Sequence, residues 1–245
     1  MKQTCVGRLS AYARVIMVLT ISALLISCAA PGRPIPEARL SSIKTIGVIS
    51  VAAFRLNMFD TTPFSIPPYK GSIDVSDMAL DELAVQKIAG LLSPAFVIKP
   101  VTYKPAEFLS EYQPNTDTFF RFQGCPNVIP DMGEITKRLP SDAAVDAYVV
   151  LYPRCVPAVA FDGLIFEKHN TVFEILGNYT SAVIDARTHE ILGAGGVFMI
   201  AKADKSEWPE GMRFNDEQKP RFRKDFEAAL DYGIGPFLKG VGLLR

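Results

Sequence analysis

The sequence predicts an α/β fold: a mixed sheet with parallel N-terminal βα units, a C-terminal antiparallel meander, and helices packed on the sheet. Three observations carry that expectation. Two apolar, β-branched runs, "IKTIGVISVAA" (43–53) and "AYVVLYPRC" (147–155), read as buried strands, and helix-period segments lie between them. Three further strand-like runs follow one another across short turns between residues 163 and 201. The chain then closes on a helical apolar stripe. With 49% of the chain hydrophobic and 10% aromatic, there is material for a core of full domain size.

In chain order, residues 43–53 form the first strand. Residues 54–75 hold Phe54, Leu56, Met58, Phe59, Phe64 and Ile66 among Pro63, Pro67 and Pro68. Prolines are confined to sheet edges and turns, so this segment reads as a short hairpin or loop with large apolar groups near the surface. "SDMALDELAVQKIAGLL" (76–92) puts Leu80, Leu83, Ala84, Ile88, Leu91 and Leu92 on one helical face, with Ser76 as N-cap and Asp77 in the first turn. Residues 96–103 read as a second strand, and Pro105 opens a short helix. Residues 113–130 are irregular and carry Phe119, Phe120, Phe122 and Cys125; 131–139 is a short helix. Strands follow at 147–155, 163–170, 171–186 and 190–201, with Arg187, Thr188 and His189 as the turn between the last two. Residues 220–238 align Phe222, Phe226, Leu230, Gly233 and Phe237 on a terminal helix.

Two short motifs in this order resemble a known group. Asp146, Ala147 and Tyr148 begin the "DAYVVL" strand, and Asp185, Thr188 and Glu190 mark a hairpin of the form hydrophobic–D–x–x–T–G–E–hydrophobic, with His189 in the glycine position. The pattern resembles the periplasmic α/β domain shared by curli-secretion lipoproteins, lipoprotein activators of peptidoglycan synthases and the TolB amino-terminal domain. The resemblance implies the fold and an envelope-assembly context; it brings no catalytic residues. His189 must then enter the left-handed backbone region that glycine occupies freely.

The N-terminus says where such a domain would work. Lys2, Arg8 and Arg14 precede an apolar run, 15–26. That run is about 12 residues, short of the ~20 that span a bilayer. A basic start and a short apolar stretch read as a secretory signal. It ends in Leu25-Ile26-Ser27-Cys28, which resembles the bacterial lipobox. The resemblance implies cleavage before Cys28, diacylglycerol on its sulfur and acylation of the new amino group, an anchor far firmer than one acyl chain at ~0.8 kcal/mol per methylene. Ala29 stands where an inner-membrane retention Asp would be, which favours the outer membrane. The domain organisation expected is a lipoprotein signal peptide (1–27), a lipidated cysteine with a flexible, proline-containing tether (28–42), and one periplasmic domain (43–245).

Lys plus Arg and Asp plus Glu number 26 each, so loss of Lys2, Arg8 and Arg14 leaves a mildly acidic mature chain. That argues against nucleic acid as a partner. Cys125 and Cys155 are the cysteines left for the domain. In an oxidising compartment they are a disulfide candidate, closing a loop of about 31 residues for roughly 3–4 kcal/mol; two buried thiols are the alternative. Without histidines beside them they are a poor zinc set. His169 and His189 are the two histidines, and the spacings of zinc proteases, serine hydrolases and P-loops are missing. "GAGG" (193–196) inside a strand reads as a bulge or close backbone approach, and Asp185 as a turn acceptor. No catalytic residue, metal or cofactor is therefore expected. Phe54, Met58, Phe59, Phe64, Phe119, Phe120 and Trp208 are candidates for a partner surface, the last in the loop "KSEWPEGMRF" (205–214). The function expected is that of a monomeric, non-catalytic binding or accessory module for envelope assembly, anchored through Cys28 and facing the periplasm. A self-assembling secretion or channel component is the alternative, with 161–173 as its one candidate membrane hairpin, and an envelope hydrolase the second.

Overall fold

A computed structural model describes residues 32–53, 55–62, 65, 69–108, 132–140, 144–153, 155–156 and 161–245. Cys28, Phe54, Phe64, Phe119, Phe120 and Cys125 lie outside the described residues, as does the side chain of Cys155, so neither the lipidation site nor the disulfide pair is placed.

The strands are β1 (Thr45–Ser50), β2 (Arg55–Asp60), β3 (Tyr69–Asp74), β4 (Val97–Lys99), β5 (Ala147–Pro153), β6 (Cys155–Val156), β7 (Phe161–His169), β8 (Val172–Asp185) and β9 (Ile191–Ala203). The two long helices are α1 (Leu80–Leu92) and α2 (Gln218–Gly240). The fourteen-residue β8 is the spine of one mixed sheet. Along one edge it pairs antiparallel with β9. Along the other, its first half pairs with β7 and its second half with β5. β5 continues in parallel to β1, and β1 to β4. β7 continues in parallel to β2, which pairs antiparallel with β3. The expected α/β class, with parallel units, an antiparallel meander and covering helices, is the fold observed.

Alternation along β5 builds two cores. Val149 and Leu151 join the larger one, under α1 and α2, with Ile46, Val48, Val183, Leu80, Ile88, Phe226 and Leu230. Tyr148, Val150 and Tyr152 point the other way, to Phe108 and Ile135 of two short helices and to Leu139 just after the second. All seven residues of β5 are buried, as a strand covered on both faces requires.

Local chemistry fixes the strand ends. Asp146 Oδ2 accepts from Lys44 N (2.9 Å), Thr45 N (2.8 Å) and Thr45 Oγ1 (2.9 Å), tying the start of β1 to β5. Burial works against its ionisation, but these donors outweigh it and hold its pKa below the ordinary range. At the β8–β9 turn, Asp185 Oδ1 accepts from Arg187 N (3.0 Å) and Thr188 N (2.8 Å), and His189 takes φ of 58°. Both resemblance motifs thus have structural work, and the histidine does enter the left-handed region.

Four expectations are corrected. First, the hairpin of β2 and β3 exists, but its apolar groups are interior. β2 lies between β3 and β7, with Leu56 and Met58 fully buried and Phe59 at 3% exposure. Met58 and Phe59 therefore offer nothing to a partner. Second, the helix expected from Ser76 is split: a 3₁₀ turn covers Ser76–Met78, and α1 starts only after Ala79, which sits at φ 50°. Ala79 in the left-handed region makes the break, and Ser76 N donates to Asp74 Oδ1, with no side-chain cap at the 3₁₀ turn. Third, residues 161–173 are no free hairpin, because β7 is enclosed between β2 and β8 with Leu164, Ile165 and Phe166 buried. Fourth, residues 32–42 of the expected tether lie on the domain. Arg33 bridges Ala194 of β9, Ile35 N donates to Val241 O (3.1 Å), and the Ile35 side chain is 6% exposed. One apolar anchor and a row of backbone bonds leave no periodicity for sequence reasoning to detect.

Candidate functional site

The loop joining β9 to α2 makes the cleft that the structure offers. Asp204 and Glu207 form a capping box around a 3₁₀ turn: Asp204 Oδ1 accepts from Ser206 N (2.8 Å), and Glu207 Oε1 accepts from Asp204 N (3.0 Å). Gln218, at the start of α2 and 9% exposed, holds the other side. Its Oε1 accepts from Asn215 N (3.0 Å), and its Nε2 donates to Ser206 O (2.8 Å) and Trp208 O (3.3 Å). Between them opens a cleft of about 730 Å³ lined by Asp204, Lys205, Ser206, Trp208, Glu210, Arg213, Asn215 and Gln218. Cations, carboxylates, amides and one indole line it together, the equipment for a polar ligand or peptide edge.

Trp208, expected as an exposed anchor, is half-buried. Its ring packs on Phe166 (5.3 Å between centroids) and Phe173 (5.8 Å), and Phe166 packs on Phe222 (5.7 Å). The indole is therefore a wall of the cleft seated on the core, not a free contact. It is the one described partner-surface candidate that borders the cleft. Sequence reasoning missed Glu207 and Gln218. Asp204 and Glu207 carried the D-x-x-E capping-box spacing, a readable signal, whereas nothing local marks Gln218 as buried.

Glu207 is 3% exposed, and its Oε2 is buried. Burial first, and the neighbouring Asp225 carboxylate second, push its pKa up to about 7. A raised carboxyl pKa means that the folded state holds the proton more tightly than the unfolded chain. Its stabilisation is complete below the ordinary value of 4.5 and is lost as pH rises through about 7. Between pH 5 and pH 8 the domain should lose on the order of 2 kcal/mol through this group. Glu207→Gln, whose amide can donate to Asp225 at any pH, should flatten that slope in urea midpoints measured across the range. A variant as pH-sensitive as the parent would contradict the assignment.

A second polar cluster sits at the end of β1. Asp81 Oδ1 accepts from Ser50 Oγ (2.6 Å), Ala52 N (2.8 Å) and Ala53 N (3.2 Å), while Tyr103 OH accepts from Ser50 N and donates to Ser50 O. Burial lifts Asp81 to about 6 against the pull of these donors. Each of these contacts is internal, so the cluster locks the β1 exit. His169 Nδ1 lies 3.1 Å from Thr61 Oγ1 and His189 in the β8–β9 turn; the fold brings neither to the cleft. Among the described residues, no group of three or more His, Cys, Asp or Glu is placed to hold a metal, and no helix is long and apolar enough to cross a membrane.

No family model matches the chain, and no curated protein does. Solved structures similar to it include lipoprotein GNA1162 from Neisseria meningitidis, at 11% identity over 74% of this chain and 93% of that one, with a TM-score of 0.30. The PelC dodecamer from Paraburkholderia phytofirmans is similar at 9% identity over 86% and 96%, with a TM-score of 0.34. Protein XCC0632 from Xanthomonas campestris is similar at 9% identity over 88% and 89%, with a TM-score of 0.38. Likeness at this level says nothing of ligand or partner.

Proposed function

We propose that the chain is a lipid-anchored accessory module of the bacterial envelope, attached through Cys28, facing the periplasm from the outer membrane, and binding another envelope component without catalysis. The observation that carries the binding part is the open cleft at the β9–α2 junction, walled by Trp208 and flanked by Lys205, Glu210 and Arg213. The capping box and Gln218 hold the backbone of its walls. The leader ending at Cys28 supports the anchor.

The second reading is self-association. It is favoured by β9, which among the described strands pairs only with β8, and by Phe198 on it, 52% exposed. A sheet edge with an apolar side chain is a template for another copy. Light scattering behind a sizing column separates the two readings on the tag-free soluble chain, Ala29 to Arg245. A monomeric mass over a wide concentration range is expected. A defined higher oligomer would overturn the module reading and put Phe198 first among residues to mutate.

A further inference from the structure

We propose that residues 32–42 are a docked strap that holds the domain close to the lipid surface in one orientation, with the end of α2 towards the bilayer and the cleft away from it. The inference rests on the anchor at Cys28 proposed above.

The strap has a built seat. Arg33 N donates to Ala194 O (2.8 Å), and Ile35 N donates to Val241 O at the end of α2. A Cβ on Gly193 would stand 2.9 Å from Arg33 O, and one on Gly195 would stand 3.0 Å from Gly32 Cα. Side chains at either position would lift the strap off β9, so the glycines of "GAGG" make the groove in which it runs. Arg39, further along, pairs with Glu190 (2.7 Å) and Asp185 (3.4 Å) and fixes the strap's other end to the β8–β9 turn.

The chain therefore leaves the domain at Gly32, beside the mid-strand glycines of β9 and the last turn of α2. Three residues lie between Cys28 and Gly32, which makes four Cα–Cα steps. At full extension they reach about 14 Å. α2 has 23 residues. It is thus about 34 Å long, with the exit at its C-terminal end and Gln218 of the cleft at its first residue. A leash less than half as long as this helix keeps the exit face at the headgroups. Arg33 and Lys239, both exposed at the exit, suit an anionic lipid surface. The partner of this face is the bilayer, and the cleft is left open to the periplasmic space.

Lysine acylation on the lipidated full-length mature protein tests this, on vesicles of phosphatidylethanolamine and phosphatidylglycerol, read peptide by peptide by mass spectrometry. Against the lipid-free Ala29–Arg245 chain in solution, Lys239 should react at least fivefold more slowly on vesicles, and Lys205 within twofold of its solution rate. A variant with ten Gly/Ser residues inserted after Pro31 keeps the strap seated but lengthens the leash, and should lose the protection. Equal reactivity of Lys239 and Lys205 in protein whose intact mass shows the lipid would overturn the orientation and leave the anchor standing. Protection that persists in the insertion variant would overturn the short leash as its cause. An intact mass without diacylglycerol and acyl groups would overturn the anchor itself.

Discussion

Phe222→Ala should cost the domain about 4 kcal/mol, the upper part of the range for removing a buried aromatic ring. Phe222 is fully buried, 4.9 Å from Phe214 and 5.7 Å from Phe166 between ring centroids. The ring lies under the larger core at the start of α2, where rigid sheet on one side and helix on the other cannot close over the void. The effect should extend to the cleft, because Phe166 is the surface on which Trp208 rests. Urea unfolding of the soluble chain gives the stability loss, and the emission of its single tryptophan, shifted to the red, gives the loosening of the cleft wall. A loss under 1 kcal/mol with unshifted emission would contradict this packing.

The second large effect sets two opposed terms against each other. Gly233 and Gly235 both lie within α2, where alanine is favoured over glycine by about 1 kcal/mol. At Gly235 nothing lies within 4 Å of an added Cβ, so Gly235→Ala should stabilise by close to that amount. At Gly233 the added Cβ would stand 2.6 Å from the Phe198 carbonyl oxygen and 3.0 Å from Met199 and Val197. Backbone cannot rotate aside, so overpacking of about 1–3 kcal/mol more than cancels the propensity gain. Gly233→Ala should be the less stable of the two variants by roughly 1–3 kcal/mol, the overpacking cost itself. Equal midpoints would show that α2 does not pack on β9 through this glycine.

What the sequence made legible was local or periodic. β5 declared itself as an unbroken apolar run, α2 as a stripe of Phe222, Phe226, Leu230, Gly233 and Phe237, and the β8–β9 turn through Asp185 and Thr188. The close approach at 193–196 was readable because glycines inside a strand need a reason; the segment that approaches was not. Long-range pairing was what failed to show. Met58 faces Phe166 across the parallel β2–β7 pair, 108 positions away, and nothing near Met58 announces that partner. Prolines at 63, 67 and 68 pointed to a short hairpin or loop with apolar groups near the surface; the hairpin of β2 and β3 is there, but Leu56, Met58 and Phe59 are interior. The cleft was half legible. Trp208 drew notice as the sole tryptophan, but burial of Glu207 and Gln218 depends on α2 returning to the end of β9, which no local pattern encodes.

The cleft is the surface proposed to meet another envelope component. Photocrosslinking in intact cells tests this directly, with benzoylphenylalanine in place of Glu210 at the cleft rim and, for comparison, in place of Tyr232, 60% exposed on α2. The account predicts one discrete adduct from position 210, of a mass other than twice that of the chain, and none from position 232. Adducts of twice the chain mass would point to self-association. No adduct from position 210, or the same adducts from both positions, would contradict the cleft as the binding surface.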